Sequence, residues 1–155
     1  MTPRKQRLTG LILAALGCGL SIAPTVLTAV TRLQVQSPAP EVEFWPLPGL
    51  VLGESAASGV LGLAATVSQV SSKHYWLLWI PPGLLISLAV LTFASIGILL
   101  LPAGIALAIS ASIVTGPRGG AVKGPAMMLG SGVANLALLV AILLSVTRIG
   151  LGGTA

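Results

Sequence analysis

Between Tyr75 and Val114 the sequence runs for forty residues without a charged side chain. As one straight helix this stretch would be about 60 Å long, twice the roughly 30 Å of a bilayer's hydrocarbon core. It has to fold back on itself, and two membrane-spanning helices joined by a tight turn meet that requirement. The chain is therefore read as an all-α, polytopic integral membrane helix bundle in a single membrane domain. Only 7% of the residues are charged, against about 25% in soluble domains. The 19 glycines and 11 prolines fit membrane helices, where both are tolerated and small residues mediate close packing.

Five spans are expected, at about 8–30, 49–70, 76–94, 98–114 and 125–146, with an extramembrane loop at 31–48. The first follows Arg4, Lys5 and Arg7. Its 23 uncharged residues exceed the 7–15 of a signal-peptide core, and no convincing small-x-small site follows, so a retained helix is favoured over a cleaved one. Ala15-Leu16-Gly17-Cys18 is a poor lipoprotein signal, because the apolar run continues past the cysteine. These opening thirty residues resemble the basic-then-apolar anchor of the haem chaperones of cytochrome c maturation. The resemblance ends there, because nothing after it reads as their strand-rich soluble domain, and it implies no function for this chain.

The loop at 31–48 holds Pro38, Pro40, Pro46 and Pro48, which forbid a continuous helix. Phe44 and Trp45 close it, and Tyr75, Trp76 and Trp79 follow the second span. Aromatic residues at both ends support a true crossing there. Pro81 and Pro82 fall in the first turns of the third span, where missing amide donors cost least. The turn before the fourth span is placed at Ser95-Ile96-Gly97. A break at Pro102 would leave a helix too short to cross. The alternative is four spans, with 75–114 forming one crossing plus a re-entrant or interfacial segment.

With five spans and the N-terminus inside, Arg4, Lys5, Arg7, Lys73, Arg118 and Lys123 lie on one side, and Arg32 and Arg148 on the other. The positive-inside rule makes the larger group cytoplasmic. The expected location is a bacterial-type plasma (inner) membrane. A net charge of +5, spread over residues that flank apolar runs, points to the lipid bilayer and away from nucleic acid. In the loop GPRGGAVKG, Arg118 and Lys123 are expected to touch anionic lipid headgroups. The loop lacks the order of a phosphate cradle and follows no strand.

On a helical wheel the second span gathers Glu54, Ser55, Ser58, Gly59, Gly62, Ala65, Thr66 and Gln69 into one arc of about 140°. In lipid such a small, polar face turns toward protein. Similar lines run through Gly97, Gly104, Ala108 and Ala111 in the fourth span, and through Ala126, Gly130, Ala134, Ala137, Ala141 and Ser145 in the fifth. Gly59, Gly62, Gly104, Gly130 and Ala134 are thus the expected helix-packing seam.

Glu54, Ser58 and Asn135 are the candidate intramembrane polar site. Glu54 is the one acidic residue inside an expected span, and intramembrane carboxylates often mark ion or proton paths. The plainer reading is a carboxyl hydrogen-bonded to Ser58 or to a neighbouring helix. A carboxylate at that depth is costly unless paired or hydrated, so Glu54 is expected to be neutral at pH 7 or hydrated at the outer rim. His74, alone among potential metal ligands, reads as a surface residue, and Cys18 as a small buried side chain.

One histidine and three acidic residues leave little material for catalysis, and neither metal nor cofactor is expected. The function expected is helix packing, as an accessory, assembly or membrane-organising subunit that binds a larger membrane complex or itself, without enzyme activity. The alternative is a small transporter or channel with Glu54 as its proton or cation site.

Overall fold

A computed structural model describes residues 3–34, 47–68, 75–93, 96–116 and 123–152. These residues form α1 (Pro3–Gln34), α2 (Leu47–Val67), a 3-10 helix at Tyr75–Trp79 that leads into α3 (Ile80–Leu91), α4 (Gly97–Thr115) and α5 (Lys123–Gly152). Among the described residues there is no strand. Four of the helices, α1, α2, α4 and α5, are long and apolar enough to cross a membrane, and the protein is an integral membrane helix bundle.

The fifth apolar helix, Tyr75–Leu91, is shorter. Its proline pair explains its form. Pro81 and Pro82 carry no amide hydrogen for the preceding turn, so the α-helical ladder cannot run through them. They occupy the first positions of α3, and the turn before them is 3-10. A 3-10 helix rises further per residue than an α-helix, so the combined element is about 28 Å long. It lies beside α4 over most of that helix, from Ala89 against Gly97 through Leu85 and Ile86 against Gly104 to Leu78 and Trp79 clustered with Ala111.

Helix directions follow from which residues meet. Gly10 approaches Ser110 and Val114, and Gly17 approaches Leu107 and Ala103, so α1 and α4 are antiparallel. Thr25 donates to the Leu52 carbonyl and Ser55 to that of Ser21, so α1 and α2 are antiparallel too. Gly83 of α3 meets Met128 and Ser131, and Gly124 of α5 meets Trp79, which makes α3 and α5 parallel. Direction therefore alternates at every step along the chain, which a sequence of five crossings requires and one crossing of 75–114 does not.

The turn between α3 and α4 falls close to its expected place: α3 stops at Leu91, three residues early, and Gly97 donates its amide to the Thr92 carbonyl. Pro102 lies inside α4 without ending it. The core lies where α1, α2, α3 and α4 meet, around Ala14, Val51, Leu85, Leu88, Leu100, Ala103 and Leu107, with Leu139 reaching in from α5.

Lipid tails are as apolar as leucine, so burial of apolar surface does not drive these helices together. Close backbone approach and interhelical hydrogen bonds do. A Cβ on Gly59 would overlap the Ser21 side chain and crowd the α1 backbone at Cys18. One on Gly62 would press on Leu107, and one on Gly104 on Ile86. These three expected seam glycines all lie in the interior.

The expected α5 seam needs correction. Gly130 and Ala134 are exposed, and so are Ala126, Ala137, Ala141 and Ser145; a Cβ on Gly130 would meet nothing within 4 Å. The face of α5 that packs is the neighbouring one. There Gly124 lies under the Trp79 indole, and Gly132 comes within 3.0 Å of the Gly83 carbonyl, measured from its would-be Cβ. Two lines of small residues share this helix, and α3 takes the line that can also place Asn135 inside.

Candidate functional site at the junction of α2, α3 and α5

Each turn of α2 brings a small or hydroxyl-bearing residue back to one face. Val51, Ser55, Ser58, Gly59, Gly62 and Thr66 are buried, while Gly53, Val60, Leu61 and Val67 look outward. Near Ser55 and Gly59 the buried face meets α1, near Gly62 it meets Leu107 of α4 and Pro81 of α3, and Glu54 lies at its edge. Leu52 is also buried, and its carbonyl accepts a hydrogen bond from Thr25 of α1.

Glu54 lies five residues into the span that begins at Gly49, about 7.5 Å along the helix axis. Its carboxyl is half-buried and lies near the side-chain amide of Asn135. The same amide donates from Nδ2 to Ser87 Oγ at 2.9 Å, and Ser87 Oγ donates to the Leu84 carbonyl at 2.7 Å. Asn135 and Ser87 are both buried. A hydrogen bond between Asn135 and Ser87 therefore joins α5 to α3 through otherwise apolar surroundings, with Glu54 of α2 near its edge.

Of the three candidate polar residues, Glu54 and Asn135 come together. Ser58 is one turn further along α2, nearly fully buried. Ser87 was not singled out from the sequence. A serine among the leucines of an apolar helix carries little signal, and its spacing from Asn135 becomes meaningful only once α3 and α5 are known to be parallel neighbours.

Elsewhere the buried hydroxyls donate to backbone carbonyls: Ser21 to Cys18, Ser55 to Ser21 and Leu52, and Ser110 to Gly10 across the α1–α4 interface. Among the described residues no buried side-chain nitrogen or oxygen lacks a partner. No group of three or more potential metal ligands occurs among them. Cys18 is a buried free thiol on the face of α1 that meets α2.

Lys123, an expected headgroup contact, is exposed at the first turn of α5. Arg118, His74 and Gln69 lie outside the described residues. Trp79, expected at a membrane surface, is instead buried against Gly124 and clustered with Leu78 and Ala111. An open apolar groove of about 450 Å³, lined by Ile12, Ala15, Leu16, Gly19 and Leu20, runs along the outward side of α1. No known protein-family model matches the chain, and no curated protein or solved structure matches it.

Proposed function

We propose that this protein is a small multi-pass membrane subunit that acts through helix packing. It serves as an accessory, assembly or membrane-organising component of a larger membrane complex, without catalytic chemistry. The observation that supports this reading is the closed hydrogen bonding of the interior. Buried hydroxyls are turned onto the bundle's own carbonyls, and glycines bring helix backbones together where a solute path would need space. The outward faces, including much of α5, carry large apolar side chains suited to lipid or to another membrane protein.

The half-exposed Glu54 carboxyl favours a second reading, a small transporter or channel that carries a proton or cation at that residue. One set of experiments separates the two. Purified in mild detergent, the wild type should co-elute with a constant larger partner, and Glu54→Gln should insert and co-elute equally well. Proton or cation flux in reconstituted vesicles, present in the wild type and lost in Glu54→Gln, would overturn the packing reading.

The orientation proposed has the N-terminus in the cytoplasm, in a bacterial-type inner membrane. Because α1 and α5 run in the same direction, Arg4, Lys5, Arg7 and Lys123 share one end of the bundle, as the positive-inside rule asks of a cytoplasmic face. Single cysteines at Ser37 and Ser72, in a Cys18→Ala background, should label from opposite sides of the membrane. Labelling from the same side would remove α2 as a crossing.

A further inference from the structure

The residues that line the open groove on α1 all belong to that helix. Ala15 and Gly19 leave the depression, and Ile12, Leu16 and Leu20 stand beside it. A Cβ on Gly19 would meet nothing within 4 Å. Ile12, Ala15, Leu16 and Gly19 are exposed, on the side of α1 turned away from the buried Gly10, Ala14 and Gly17.

Helical spacing sets which charge heads this groove. Lys5 precedes Ile12 by seven residues, so it returns to within about 20° of the same direction. Arg7 stands in that relation to the buried Ala14, and is turned about 140° away from Ile12. Lys5 and Arg7 are both exposed. They carry the same charge at the same end of α1, one above the groove and one above the packed face.

Depth places the groove in one leaflet. The uncharged run at 8–30 is centred on Gly19. Half of a 30 Å hydrocarbon core takes about ten residues of helix, so one leaflet's acyl region covers about 9–19. That range nearly coincides with the groove. Lys5 then falls about 6 Å beyond it, within the headgroup layer. From Lys5 to Leu20 the helix rises about 22 Å, half the full thickness of a bilayer with its headgroups.

The charge at this end calls for an anion. Among the described residues Glu54 is the one acidic group. Its neighbour Ser55 donates to Ser21, about 24 Å further along α1 than Lys5. A second copy of this chain, related by a two-fold axis, would lay its own α1 parallel in the groove and set Lys5 toward Lys5. An anionic lipid meets the groove and the charge together.

We infer that α1 carries a binding site for an anionic phospholipid of the leaflet on its N-terminal side. An acyl chain lies in the groove over Ala15 and Gly19, and the phosphate of the headgroup meets the Lys5 ammonium, which offers three donors. The position of the charge on the helix matters here, and not its sign alone. This goes beyond the packing reading, which holds whichever lipid lies against the bundle.

In the test, the full chain in mild detergent is offered phosphatidylglycerol and phosphatidylcholine with identical acyl chains, and native mass spectrometry counts the lipids retained. The wild type should keep one phosphatidylglycerol per chain, preferred by about fivefold, the contribution of one basic side chain near an anionic surface. Lys5→Gln should bring the preference below about twofold, while Arg7→Gln, an equal loss of charge off the groove, leaves it unchanged. Gly19→Leu has open space around its Cβ, so it should fold, fill the groove and lower retention of both lipids. Equal retention of the two lipids by the wild type, or equal losses in Lys5→Gln and Arg7→Gln, would overturn the site. A dimer that dissociates in Gly19→Leu would give the groove to a second copy and overturn it too. Co-elution with a protein partner is a separate readout, so the lipid site and the packing reading can fail independently.

Discussion

Two parts of this bundle are built to different tolerances. Where α1, α2 and α4 meet, Gly17 and Gly59 come against neighbouring backbone, Gly62 lies against the Leu107 side chain, and hydroxyls donate across the interfaces from Thr25, Ser55 and Ser110. On the other side, α5 lies against α3 along one narrow strip and leaves the rest of its surface open. Both parts are strongly apolar, so hydropathy does not separate them. What separates them is how many sides of each helix meet backbone rather than lipid. In a bilayer, apolar character is the entry condition for every helix, and the small and polar residues decide which helices stay together.

The largest expected effects come from filling the glycine contacts. Gly59→Leu places a side chain on Ser21 and on the α1 backbone at Cys18, which has no room to yield. Overpacking of this kind costs about 1–3 kcal/mol, and loss of the Ser55–Ser21 hydrogen bond adds to it, so the folded bundle should be lost or strongly destabilised. Gly83→Leu collides with the Met128 carbonyl and Ser131, and should free α5 while α1, α2 and α4 remain assembled. Gly130→Leu points into open space and should change stability by less than about 0.5 kcal/mol. Unfolding in a denaturing detergent series, with protease mapping of α5, reads all three. Equal losses for Gly59→Leu and Gly130→Leu would abolish the distinction between the two regions.

Much of this architecture is legible in the sequence because the membrane leaves few options. The forty-residue uncharged run demands a fold-back, and prolines and glycines locate its turns to within a few residues. The inward face of α2 is legible because serines, a threonine and glycines are concentrated on one arc, and lipid offers them no partners. On α5 that logic had two answers. Ala126, Gly130, Ala134 and Ala141 form one small-residue line, and Gly124, Ser131, Gly132 and Asn135 lie on another. Choosing between them requires knowing that α3 presents Gly83 and Ser87 at matching heights, and parallel neighbours forty or more residues apart leave no local periodicity to announce this. The same gap hid Ser87, half of the hydrogen bond at the centre of the candidate site.

The smallest effects probe the hydrogen bonds themselves. Ser55 donates across to Ser21 as well as back to Leu52 on its own helix. Ser131 likewise donates across to Ile80, at 3.4 Å, and back to Met128 at 3.0 Å. Interhelical hydrogen bonds in membranes average about 0.6 kcal/mol, because the separated helices also find partners. Ser55→Ala should approach that value, since its 3.2 Å reach to α1 lies at a fully buried site flanked by Gly59. Ser131→Ala should cost less, because its cross-helix bond is longer and its site only half-buried. Ser145→Ala, exposed and bonded only to Ala141 one turn back on α5, sets the zero of the scale. Equilibrium unfolding of the three variants should therefore rank them Ser55, Ser131, Ser145. A larger loss for Ser131→Ala than for Ser55→Ala would mean that α5 is gripped more firmly than its burial implies. The contrast between a rigid core and a loosely docked helix would then reverse.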